Sequence, residues 1–303
     1  MWATGCGDAD FTGQTDAELL TQATDELSYY NFDRAYGLFA EIRRRAEETE
    51  GDSADAENNW SRATFGMATA AQNRTPPSPR MIQEAADLYA ELVERSPASE
   101  FAPRSLLNLG RLAEIQDHRQ DRTDLEAARR YYSEVLETWP EAAIAGEAAL
   151  RYADTFVQRY DNPASVREGL LFIASWIAEQ PESPYASVIW EYLGQVHLQI
   201  TQEPGLAIEN YRQADAVGFI EPTVIPSLYW LIAQVSAEQL NDPETAARYY
   251  QRIITETPRS GRAFEAQLAL GVLAEAHPAL EIEIPAIEEF YLIDPADSSE
   301  PAP

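Results

Sequence analysis

Four helix-length segments of this chain close on one spaced signature. It reads small residue, bulky residue four positions on, apolar residue three further, and proline five beyond that. The instances are Ala85–Tyr89–Leu92–Pro97, Ala128–Tyr132–Val135–Pro140, Gly169–Ile173–Trp176–Pro181 and Ala246–Tyr250–Ile253–Pro258. Two further copies, Ala35–Phe39–Ile42 and Ala207–Tyr211–Ala214, lack only the proline. Proline makes up 19 of 303 residues, so its return to the same slot in four copies marks an internal repeat. Steps of four and three keep the side chains on one helical face. The small residue admits a neighbouring helix closely, the bulky one fills the space beside it, and proline cannot continue the hydrogen-bond ladder. These features predict an all-α array of helical hairpins.

From Ala85 through Ala128, Gly169 and Ala207 to Ala246 the steps are 43, 41, 38 and 39 residues. Helix pairs are expected over 15–49, 53–95, 100–138, 141–180, 185–217 and 222–257, with a closing helix over 261–276. In the first helices of two pairs, Trp190–Leu193–Gly194 follows a W-x2-L-G pattern with His197 in its tyrosine slot, and Leu106–Leu109–Gly110 is a weaker copy. This resembles the tetratricopeptide repeat over most of residues 15 to 277. The resemblance implies a helical-hairpin solenoid of about six pairs plus a closing helix. The unit of that family is about 34 residues, so loops or helices here are longer. The excess falls in the polar run 116–122, in the acidic stretch Glu47 to Glu57 and in Thr75-Pro76-Pro77-Ser78-Pro79.

After the prolines comes a second motif: Pro97-Ala98-Ser99 leads to Ala102, Pro181-Glu182-Ser183 to Ala186, and Pro258-Arg259-Ser260 to Ala263, while Pro140 has Ala142 in the serine slot. The serine is expected to cap the next helix and the later alanine to seat it. Such joints resemble those of bacterial cell-envelope repeat lipoproteins, of the outer-membrane β-barrel assembly and Tol–Pal coordinator types. A generic hairpin array reaching the same joint is the other reading.

With 45% hydrophobic residues, the chain can bury an extended core as one continuous repeat domain over 15–277. No run reaches the roughly 18 apolar residues of a membrane span. The net charge of −29 argues against binding a nucleic-acid backbone, which requires basic surface. Lysine is absent and all 22 basic residues are Arg. Codon bias, adaptation to salt and an acidic surface for a basic partner all remain open as explanations.

The single cysteine, Cys6, stands in Ala3-Thr4-Gly5-Cys6-Gly7-Asp8, which resembles the end of a bacterial lipobox. That resemblance implies lipidation at Cys6, with residues 1–14 as a flexible tether. Only five residues precede the cysteine, too few for a signal peptide, so either the start is trimmed or the match is incidental. Residues 278–293 are expected to cap the last helix through Ile282, Ile284, Ile287, Phe290 and Tyr291, or else to dock a partner. Residues 294–303 read as a disordered acidic tail.

Nothing in the sequence points to catalysis, a metal or a cofactor. His118, His197 and His277 lack ligand spacing, and no phosphate-binding glycine loop or nucleophile elbow occurs. Trp176, Trp190, Tyr211 and Trp230 read as core, whereas Trp60 and Trp139 fit no slot. By the tetratricopeptide resemblance, first-helix residues line a concave partner-binding groove. Carried onto this sequence, the groove comprises Arg104, Leu107, Arg111 and Glu114; Val188, Glu191, Gln195 and Leu198; and Leu228, Leu231, Val235 and Glu238. The function expected is a non-catalytic protein–protein interaction scaffold of the bacterial cell envelope, on the periplasmic side, touching a membrane only through a lipid on Cys6. Its partners would be proteins or peptides. A cytoplasmic repeat adaptor in a regulatory complex is the alternative.

Overall fold

The computed structural model describes residues 11, 13–49, 53–76, 78–115, 123–158 and 160–287. Among them every regular element is helical. The helices are α1 (Asp16–Ser28), α2 (Phe32–Glu48), α3 (Ala54–Asn73), α4 (Pro79–Arg95), α5 (Phe101–Glu114), α6 (Leu125–Thr138), α7 (Ala145–Val157), α8 (Pro163–Glu179), α9 (Ala186–Gln199), α10 (Pro204–Val217), α11 (Ile225–Glu238), α12 (Pro243–Glu256) and α13 (Gly261–Ala276). Two short 3₁₀ turns, Pro222–Val224 and Pro278–Leu280, complete the described structure. Adjacent helices pack pairwise in an all-α hairpin arrangement. The chain divides inside α8 into two compact units, Met1–Gly169 and Leu170–Pro303. In the first, each helix from α1 to α6 packs on its successor, and α1 also meets α3, as α3 meets α5. In the second, α9 through α13 do the same, and α11 also meets α13.

The repeat signature is the core of both units. Ala35, Ala85, Ala128, Ala207 and Ala246 are fully buried, as are Ile42, Tyr89, Leu92, Tyr132, Val135, Ile173 and Ile253. Glycines in the facing helices show why one partner must be small. A Cβ built on Gly66 of α3 would lie 2.5 Å from Cζ of Phe39, and one on Gly110 of α5 would lie 2.6 Å from Cζ of Tyr132. On Gly194 of α9 it would lie 2.9 Å from Cδ1 of Tyr211. The ring of each second-helix aromatic therefore rests where a side chain would otherwise stand. Trp60 is fully buried, while Trp176, Trp190 and Trp230 are only half-buried, so the slots read as core are partly rim.

Helix ends follow from proline geometry. Ser96, Trp139 and Thr257, each preceding a proline, have φ of −126° to −131° and ψ of 51° to 59°. The α region is disfavoured before proline, and these values lie outside it. Each residue still donates its N–H to the carbonyl four back, then offers its own carbonyl to the amide two beyond the proline, closing a turn. Gln180 before Pro181 bonds identically. The serines beyond the prolines contribute less than expected. Ser99 and Ser183 accept from the amides of Phe101 and Tyr185 at 3.3 and 3.2 Å, but Ser260 makes no cap bond. Ala142, without a hydroxyl, completes the same backbone turn to Ala145 at 2.8 Å. The joint is thus a backbone device to which serine adds at two positions. The alanines it delivers, Ala102, Ala145, Ala186 and Ala263, are all buried.

Gly110→Ala is expected to destabilise the protein by about 1–3 kcal/mol through overpacking against Tyr132. Gly37→Ala, on an exposed helical face with nothing within 4 Å of the new methyl, is expected to stabilise it by about 0.5–1 kcal/mol. Chemical denaturation of the two variants checks the pair, and equal shifts would refute the ring-in-notch packing.

Candidate functional site

The four candidate residues on α5 have different fates. Leu107 is 2% exposed and belongs to the core of the first unit, so it is withdrawn from any partner surface. Arg104 is exposed, its guanidinium 5.8 Å from the Phe101 ring, and forms no ion pair among the described residues. Arg111 pairs with Glu147 of α7 and donates to Asn108 Oδ1 at 3.0 Å. Glu114 lies 3.5 Å from Arg151 of α7, which also holds Glu147 at 3.1 Å. Two arginines and two carboxylates thus lace the first helices of two successive pairs together. Burial pushes the Glu114 carboxyl above the usual range, more than the nearby cations lower it. Burial, followed by the Glu114 charge, raises the Tyr132 phenol.

In the second unit, Val235 is 3% exposed and packed in the core. Leu198, Leu228 and Leu231 pack at the edge of that core. Val188 and Glu191 are half-buried, and Gln195 and Glu238 are exposed. Burial raises the Glu191 carboxyl despite the Ser187 hydroxyl 3.5 Å away. Glu238 accepts from Gln234 at 3.2 Å. Of the residues expected to form a groove, those presenting side chains outward are therefore Arg104, Val188, Glu191, Gln195 and Glu238. His197 turns its Nδ1 to Glu203 Oε2 at 3.1 Å and Thr201 Oγ1 at 3.2 Å, bridging the α9–α10 joint. Cys6 and His118 lie outside the described residues.

Two polar clusters escaped the sequence reading. Around Trp60 on α3, the indole N–H donates to Glu47 of α2 at 2.9 Å, and the guanidinium of Arg95 from α4 lies 4.0 Å over the ring. Burial would raise the Glu47 carboxyl, but the bonds from Trp60 and Arg43 outweigh it and hold the group below its ordinary range. These residues adjoin an open cleft of about 1020 Å³ that Glu57, Ser96 and Ser99 also line. In the second unit, Asp215 of α10 accepts from Tyr229 of α11 at 3.1 Å, from Tyr249 of α12 at 2.9 Å, and from Arg252. Burial first, then the hydrogen bond to Asp215, pushes the Tyr249 phenol up to about 12. Neither cluster had a sequence signal, since its members come from three helices at unrelated spacings. Both satisfy their own charges. Among the described residues, no three His, Cys, Asp or Glu side chains converge as metal ligands.

Because the folded Glu114 carboxyl titrates above its unfolded value, its ionisation carries a penalty. That penalty is absent well below about pH 4 and complete above the folded pKa. Glu114→Gln is therefore expected to raise Tm at pH 7 and to leave it nearly unchanged at pH 3. A pH-independent difference in thermal melts would refute this assignment.

The chain matches no protein-family model and no curated protein.

Proposed function

We propose that this protein is a non-catalytic, tetratricopeptide-like scaffold that binds other proteins or peptides on the faces of its first helices. The supporting observation is how alternate helices approach each other: α1 with α3 and α3 with α5 in one unit, α11 with α13 in the other. These first helices therefore lie side by side, and their outward residues would form a strip along α1, α3 and α5 in one unit and along α11 and α13 in the other. Such strips suit extended or helical segments of a partner. On α5 the cation of the strip without an ion pair among the described residues is Arg104, which would meet a carboxylate of the partner. Arg111 is committed to Glu147 and serves the scaffold instead.

The proposed setting is the periplasmic side of a bacterial cell envelope, with Cys6 carrying a lipid. It rests on the Pro-x-Ser joints and on the residues around Cys6. No helix among the described residues is long and apolar enough to cross a membrane. A single acyl-anchored cysteine would supply the attachment.

Replacing Arg104 with Glu should reduce recovery of bound partner from native membranes about tenfold, the scale of one charge-assisted hydrogen bond. Because Arg104 is exposed and pairs with no carboxylate among the described residues, Tm should not move. Undiminished recovery would place the binding surface elsewhere. For the anchor, intact-mass measurement on protein from native membranes should show acyl chains on Cys6, and Cys6→Ser should shift the protein to the soluble fraction. An unmodified, fully soluble native protein would favour the cytoplasmic adaptor.

A further inference from the structure

The turn between α1 and α2 carries a side chain that the fold does not ask for. Tyr30 stands at φ +62°, in the left-handed region, as the residue before the N-cap Asn31. Two other hairpins place a left-handed residue in the same slot, Gln202 before Glu203 and Asn241 before Asp242. Glycine or asparagine suits this conformation best, and a bulky ring is strained in it. Burial does not offset the strain, for Tyr30 is 79% exposed beside Tyr29 at 73%. Strain kept at an exposed residue is characteristic of binding sites.

The surroundings supply the chemistry. The Tyr30 ring meets Phe32 edge to face, with centroids 6.1 Å apart. Both rings line a hollow of about 430 Å³ together with Arg34 of α2 and Arg74 at the end of α3. Arg74 is held in place: its guanidinium lies 4.2 Å over the Tyr36 ring, and the Tyr36 hydroxyl donates to Glu84 of α4. Its Nε is buried and makes no hydrogen bond, although Asp33 Oδ1 is 2.9 Å away. The Asp33 side chain is 88% exposed, so water screens that pair. Arg34 engages Glu26 through Nε at 3.0 Å, and its side chain stays 71% exposed. Asn31 donates to the other Glu26 oxygen at 2.7 Å, so Glu26 keeps a partner without Arg34. The hollow thus gathers two arginines against one lining carboxylate, Asp33, in a chain with 51 acidic and 22 basic residues.

We propose that this hollow binds a ligand joining a planar ring to a doubly charged oxyanion, a phosphorylated aromatic ring being the simplest case. Two guanidiniums match the two charges, and their forked N–H groups suit phosphate oxygens. The Tyr30 and Phe32 rings offer the planar part a stacked or edge-to-face contact. A hollow of about 430 Å³ lies within the range of small-molecule sites. The strain at Tyr30 then has a purpose, since the left-handed turn sets its ring on the same hollow as the two arginines. An extended acidic peptide fits less well, because a chain of net charge −29 repels a run of carboxylates. The phosphorylated ring could be a free small molecule or a modified side chain of a partner, and the recognising chemistry is the same. This inference is independent of any partner on the first-helix faces.

Ligand-observed NMR titrations of the full chain with phenyl phosphate, inorganic phosphate and phenol test the site. Phenyl phosphate should bind about tenfold more tightly than either half alone. Arg34→Gln should weaken it about tenfold, the scale of one charge-assisted hydrogen bond. Tyr30→Asn should weaken it about fivefold, the scale of one aromatic contact, and yet raise Tm, because asparagine relieves the left-handed strain. Opposite signs in binding and stability separate a ligand-facing ring from a structural one. Phenyl phosphate bound no better than inorganic phosphate, or bound equally by the wild type and both variants, would overturn the proposal. So would a Tm that falls with Tyr30→Asn, since the ring would then serve the fold. A phosphotyrosine peptide titrated alongside distinguishes the sources: tighter binding than phenyl phosphate assigns a modified partner side chain, equal binding a free ligand, and both support the ring-and-oxyanion site.

Discussion

The fit of a bulky side chain against a residue with almost none, helix on helix, is the constraint on which the rest of the structure depends. Tyr132 over Gly110, Phe39 over Gly66 and Tyr211 over Gly194 set how closely first and second helices approach. Around these contacts stand buried alanines such as Ala23, Ala63, Ala70, Ala148 and Ala149, none more than marginally accessible. A core of small residues packs densely only if the backbones come near each other, so one misplaced methyl is felt across the pair. The proline turns serve the same end. They stop each helix at a fixed residue and deliver the next alanine to the seam.

With apolar area per helix limited by those alanines, polar links carry part of the work of joining helices. Every cation here is arginine, whose planar fork can bond two carboxylates and still stack on an aromatic face. Arg43 reaches Glu47 at 3.0 Å and Glu91 of α4 at 2.6 Å while lying 5.2 Å from the Trp60 ring. Arg252 binds Asp215 and Glu256 and stacks on Tyr229 at 4.2 Å. These arginines thus compensate Glu47, Glu91, Asp215 and Glu256, whereas burial outweighs the cations beside Glu114.

That division shapes the functional surface. A cation on a first helix serves either the fold or a partner, and the geometry assigns Arg111 to the fold and leaves Arg104 exposed. A leucine or valine at such a position is likewise divided: Leu107 and Val235 are core, and Val188 stays half-exposed.

By itself the sequence determined the helices, their pairing and their ends. Those features are local: a period of 3.6 residues, a small residue facing a bulky one, and a proline that forbids the next helical turn all act within a few residues. From the spacing alone, the outer limits of six pairs and of the closing helix were legible to within about four residues, while the break inside each pair was not placed. Which residues of a helical face point outward was not, because a first helix packs on the neighbours before and after it and buries more than one stripe. Leu107 and Leu109 are two apart, yet both are buried. The Trp60 and Asp215 clusters were invisible for a related reason. Each gathers side chains from three helices, and the distances between them depend on helix crossings that no spacing along the chain records. Only the tertiary structure could decide which charges pair and which residues of an apolar face are buried, because burial and pairing are properties of neighbours in space rather than in sequence.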